Sequence, residues 1–126
     1  MSGDTSGPIR VLILEDEFMI AMEFETVVLD AGFEVVGPAA DVEAALTLIE
    51  ANPPDVGVLD VNLGHGTTSA PIADRLSAIG IPFILCTGYQ TDDLVQRYGE
   101  HVPMLQKPVD TVRLVEFLRT IASAGR

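Results

Sequence analysis

Tryptophan is missing from this chain, and lysine and cysteine each occur only once, at Lys107 and Cys86. Aromatic side chains make up 6% of the residues, so the core has to be built from aliphatic ones. A single cysteine excludes an intramolecular disulfide and fits a reducing compartment. Cys86 lies in an apolar run, where a buried, inert thiol is expected. Basic residues are scarce: 7 against 19 acidic ones, for a net charge of −12. Such a surface repels nucleic acid and anionic lipid, so neither is expected as a partner. No apolar run approaches the roughly 18 residues of a membrane span. The opening Met1 to Gly7 is polar and acidic, unlike a secretory leader. A cytoplasmic location is expected. His65 and His101 lie too far apart to suggest a zinc site; both read as surface residues, with His65 in a loop where it would tune solvent access.

What is present is enough for one domain. The 126 residues are 48% hydrophobic, sufficient for one core. Residues 1–8 read as a flexible tail and residues 9–126 as the domain. Val11-Leu12-Ile13-Leu14 is a continuous apolar run typical of a strand buried on both faces. A helix follows from Phe18 to Ala31, with Phe18, Met22, Val28 and Leu29 as its apolar positions and Gly32 as its stop. Val35-Val36-Gly37 is a weaker strand. Asp41 caps a helix from Val42 to about Ala51, with Ala45, Leu46 and Ile49 facing inward, and Asn52-Pro53-Pro54 ends it. Val56 to Leu59 is a third strand and runs into Asp60.

A glycine-bearing loop over 62–67 leads to a helix capped by Ser69 and reaching Ile79, with Pro71 in its first turn. Pro82 to Cys86 is a fourth strand ending at Thr87-Gly88. A short helix is expected from about Asp92 to Tyr98, then a brief strand Met104-Leu105-Gln106. Asp110 caps a last helix to about Ala124, lined by Leu114, Leu118 and Ile121. Strands alternating with helices predict an α/β fold, a parallel sheet with helices on both faces.

In open parallel sheets, sites form beyond the carboxyl ends of the strands. The first strand ends in Glu15-Asp16, the third in Asp60, the fourth in Thr87 and the fifth in Lys107, so these side chains should share one edge. Three carboxylates brought together repel one another, and a hard divalent cation relieves this. Glu15-Asp16-Glu17 would also suit an ordinary helix start, and Lys107 an ordinary salt bridge. Asp60 tips the balance, because it follows a fully apolar strand and no helix begins there. Lys107 and Thr87 would then serve a phosphoryl group, one as a point charge and the other as a hydrogen-bond donor.

The run Leu12 to Glu17, the run Val56 to Leu63, Thr87-Gly88 and Lys107-Pro108 together resemble the receiver domain of two-component response regulators, over residues 9–124. The resemblance implies a flavodoxin-like (βα)5 three-layer sandwich with strand order 2-1-3-4-5. It implies Asp60 as phosphoacceptor and Asp16 as a direct metal ligand. Glu15 would act largely through metal-bound water, and the backbone carbonyl of Asn62 would be a further ligand. Thr87 corresponds to the switch hydroxyl and Lys107 to the phosphoryl-binding lysine, with a cis bond expected between Lys107 and Pro108. The cofactor implied is Mg²⁺, for which Mn²⁺ or another divalent cation would substitute. The implied partners are a sensor histidine kinase or phosphotransfer protein and a downstream effector protein. The expectation is a signalling domain rather than an enzyme, a monomer or weak phosphorylation-dependent dimer. Output would pass through another protein, or the domain would act as a phosphate sink.

Two positions depart from the common pattern. Met104 stands where many receivers carry a switch aromatic. Tyr89 follows Thr87 in Leu85-Cys86-Thr87-Gly88-Tyr89, which resembles the FATGUY variant of receivers with Leu and Cys in place of its usual Phe and Ala. Tyr89 is therefore a switch candidate. Two other readings stand beside this one: a receiver fold that binds a partner without being phosphorylated, and a flavodoxin-like binder or small hydrolase. The second lacks a phosphate loop after the first strand, where Glu15-Asp16-Glu17 would repel an anion without a metal.

Overall fold

The computed structural model describes residues 7–88, 93–98 and 100–125. Five strands form one parallel sheet: β1 (Arg10–Leu14), β2 (Glu34–Ala39), β3 (Val56–Asp60), β4 (Phe83–Thr87) and β5 (Met104–Gln106). Their order is β2-β1-β3-β4-β5. The connecting helices are α1 (Phe18–Asp30), α2 (Val42–Ala51), α3 (Ala70–Ala78), α4 (Asp93–Tyr98) and α5 (Thr111–Gly125). This is the flavodoxin-like arrangement that the resemblance implies.

Strand alternation splits the core in two. Leu12, Leu14, Leu59, Phe83 and Leu85 meet Ala45 and Ile49 of α2, Ile72 and Leu76 of α3, and Leu94 of α4. Val11, Ile13, Val58, Ile84 and Cys86 meet Phe24 and Val28 of α1 and Leu114 and Leu118 of α5. Each central strand is therefore apolar on both faces, which is why it reads as an unbroken hydrophobic run. Burial pushes the Cys86 thiol up to about 12, so it stays protonated, as its apolar surroundings led us to expect.

Of the three expected caps, Asp41 and Asp110 form and Ser69 does not. The Asp41 carboxylate accepts from the Ala44 N–H at 2.8 Å, and Asp110 accepts from Val112 N–H at 2.9 Å. Ser69 precedes α3 without a side-chain capping bond. Two further expectations need correction. On α1 the buried stripe is Ala21, Phe24 and Val28, whereas Phe18, Met22 and Leu29 are 72%, 46% and 51% exposed. The run Phe18 to Met22 is apolar throughout, so composition could not say which residues face the sheet. Small Ala21 does, and Phe18 and Met22 instead border a cleft beside Glu15 and Asp16. Second, β2 reaches Ala39, beyond the Gly37 at which the sequence signal stops. Gly37 adopts φ +103, where a Cβ would sit 2.7 Å from the Ala39 nitrogen, and the ladder with β1 shifts register there. The Lys107–Pro108 bond is cis, as expected, and Gly37–Pro38 is cis as well.

No helix among the described residues is long and apolar enough to cross a membrane.

Candidate functional site

Backbone ladders bring the polar residues to one edge. The register shift in β2 lets the Ala39 carbonyl accept from the Glu15 N–H at 2.9 Å, extending the pairing one residue past β1. The Glu17 N–H then donates to Glu15 Oε2 at 3.0 Å, which fixes the carboxylate and leaves Oε1 turned to its neighbours. Asp60 pairs with Cys86 across β3 and β4. The Lys107 N–H donates to the Thr87 carbonyl at 2.9 Å, so the lysine backbone is tied to the end of β4.

The side chains converge accordingly. Glu15, Asp60 and Thr87 are 2%, 3% and 2% exposed, while Asp16 is open to solvent. One carboxylate oxygen from each of Glu15, Asp16 and Asp60 lies within 4.8 Å of the others. Lys107 Nζ stands 3.0 Å from Asp60 Oδ2 and 3.6 Å from Glu15 Oε1. Those two oxygens are buried and accept no well-aligned hydrogen bond, so the ammonium serves them as a charge partner. Gly64, at φ +83, packs over the third carboxylate: a Cβ there would lie 3.3 Å from Asp16 Oδ2.

The electrostatics follow from crowding out of water. Burial pushes the Glu15 carboxyl up to about 7; the Glu17 N–H opposes this and the Asp60 charge adds to it. Burial also raises Asp60, against the pull of Lys107. Burial works against the Lys107 ammonium too, but Asp60 and Glu15 outweigh it and hold the lysine above its usual value. Three carboxylates thus face one lysine. Two buried oxygens that share one lysine, with one exposed carboxylate beside them, are a donor set that suits a hard divalent cation.

Sequence comparison identifies the family. The model of the response regulator receiver domain matches residues 11–119. The chain belongs to that family. This receiver is 30% identical over 125 residues to the transcriptional regulatory protein PdtaR of Mycobacterium tuberculosis, covering 98% of this chain. It spans only 61% of the length of PdtaR. The solution structure of SdrG from Sphingomonas melonis Fr1 is 35% identical, with a TM-score of 0.77, and covers 91% of this chain and 97% of that one. The receiver domain of PhyR from Erythrobacter litoralis is 26% identical, with a TM-score of 0.81, and covers 92% and 91%.

The structure thus gathers Glu15, Asp16, Asp60 and Lys107 in one place, with buried Thr87 at the end of the neighbouring strand and Asn62 in the loop that follows Asp60. Tyr89 lies outside the described residues, so its standing as a switch candidate, like the resemblance to the FATGUY variant, comes from sequence only. His65 is exposed at a left-handed φ of 53 in the loop, and His101 is exposed. The sequence reading did not foresee Gly64 against Asp16. The signal for it was a glycine two residues past Asn62, which reads as ordinary turn chemistry.

Proposed function

We propose that this receiver is a phosphorylation switch in which Asp60 takes a phosphoryl group from the phosphohistidine of a sensor histidine kinase or phosphotransfer protein. The observation that carries this reading is the meeting of buried Asp60 with Glu15, Asp16 and the chain's sole lysine. Glu15, Asp16, Asp60 and the backbone carbonyl of Asn62 would hold Mg²⁺ or a similar divalent cation. Such a cation, when bound, neutralises charge between the attacking carboxylate and the incoming phosphoryl group.

The chain's own groups do the rest by positioning. An Asp60 carboxylate oxygen forms the new P–O bond as the donor's P–N bond breaks, and the imidazole leaves with the electron pair. Lys107 already lies on Asp60 and is placed to take a phosphoryl oxygen as a point charge. The Thr87 hydroxyl, at the end of the adjacent strand, would donate to another. Hydrolysis of the acyl phosphate resets the switch. Output passes through an effector protein, or the domain drains phosphoryl groups as a sink.

Incubation with acetyl phosphate and Mg²⁺ should add the mass of one phosphoryl group, mapped to Asp60, and EDTA should prevent it. A chain that binds Mg²⁺ yet never gains that mass would instead be a receiver fold that works without phosphorylation. Tyr89 enters the proposal as a reporter of the switched state. Tyr89→Ala should blunt the spectral change that follows phosphorylation, and an unchanged response would remove Tyr89 from the switch.

A further inference from the structure

The shortest helix also has the fewest buried apolar side chains among the described residues. α4 spans six residues, and of its described side chains Leu94 is buried and Tyr98 half-buried, while Gln96 and Arg97 are exposed. With so little buried area, a polar contact can decide where the helix sits. One such contact is present at its C-terminal end. Asp74, on the outer face of α3, accepts from Arg97 Nη1 at 2.8 and 3.0 Å through its two oxygens. It also accepts from the Tyr98 hydroxyl at 2.6 Å, a short charge-assisted bond. The Tyr98 bond is the main reason the Asp74 carboxyl is held below its usual value, with Arg97 adding to it.

The Tyr98 ring connects this surface contact to the sheet. It meets Phe83 edge-on, with centroids 5.3 Å apart and an interplanar angle of 80°. Phe83 opens β4, and Thr87 closes it at the candidate site. The strand whose first residue touches the end of α4 thus closes, at its other end, on the candidate site.

We infer that Asp74, Arg97 and Tyr98 form a latch that pins α4 to α3, and that this latch must open for the phosphorylated conformation to form. The second half of the inference rests on the function proposed above. Asp74 is a positioning residue here, since it touches none of the groups at the Asp60 site. The latch makes α4 a two-state element of the kind a local charge change can bias. Linkage then fixes the sign of a measurable effect. If the phosphorylated form requires an open latch, removing the latch must tighten binding of a phosphoryl mimic by the factor through which it eases opening.

The test uses the full chain, with Asp74→Ala and, separately, Tyr98→Phe, which keeps the ring on Phe83 but removes the hydroxyl. Without any mimic, amide exchange in α4 should quicken by about tenfold in Asp74→Ala and by less in Tyr98→Phe, while β1 and β3 amides keep their protection. Beryllofluoride with Mg²⁺ should then bind Asp74→Ala several-fold more tightly than the parent chain. Unchanged α4 exchange in both variants would overturn the latch. Faster exchange with an unchanged beryllofluoride affinity would overturn its coupling to the site. Failure of beryllofluoride to bind the parent chain would count against the phosphoacceptor reading and the coupling together, whereas the exchange data would still decide whether the latch exists.

Discussion

Asp60→Asn is expected to eliminate phosphorylation from acetyl phosphate, a drop of at least about a thousandfold in labelling rate. The amide keeps the size and shape of the carboxylate but has no anionic oxygen with which to attack phosphorus. The loss should be chemical rather than structural. Asp60 closes a strand whose other residues are all buried and apolar, and the ladder to Cys86 is a backbone one. Two effects on stability oppose each other: the variant loses the Lys107 contact at 3.0 Å, but it also removes a carboxylate whose charged form burial disfavours. Lys107 retains Glu15 at 3.6 Å, so no cation is stranded. Intact mass after incubation with acetyl phosphate gives the first measurement and thermal melting the second. Persistent labelling of the folded variant would move the acceptor elsewhere.

The second large effect is a dependence of stability on pH that a divalent cation should reverse. Folding raises the Glu15 carboxyl from an ordinary 4.5 to about 7. A folded-state value above the unfolded one means that the folded protein holds the proton more tightly. The associated stability is fully present below about 4.5 and is lost as pH rises through about 7. Asp60 is shifted in the same direction and adds to the trend. After discounting for screening by solvent near Lys107, the loss should be on the order of 1–2 kcal/mol. Cation binding needs the same carboxylates deprotonated, so the melting-temperature gain on adding Mg²⁺ should grow over that pH range. Melts in EDTA and in Mg²⁺ from pH 5 to 8 test both signs. A metal-free protein whose melting temperature climbs across the range would show that the carboxylates are not crowded as described.

Much of this site could be read in the sequence because each of its residues follows an apolar strand. Strands β1, β3 and β4 are buried on both faces, so their runs are unbroken and their ends well marked. Once the ends were placed, Glu15, Asp60, Thr87 and Lys107 fell on one edge by topology alone. The parts that escaped lack such a signal. β2 lies at the edge and contains Gly37 and Pro38, both of which weaken a strand pattern. The inward face of α1 was hidden by a run of consecutive apolar residues, in which a 3.6-residue period leaves no trace. The Asp74 contact joins residues more than twenty positions apart on exposed helix faces, where isolated charges read as nothing more than solvated surface.

The two margins of the sheet carry a last consequence. β2 includes Pro38, which has no N–H to offer a neighbour, and β5 is three residues long with Pro103 just before it and Pro108 just after Lys107. Neither margin presents an uninterrupted row of donors and acceptors to a foreign strand. Lateral addition of a foreign strand is therefore disfavoured, most of all at the short β5 margin. Where copies of this chain do associate, the contact should run through helix side chains and leave the strand count at five.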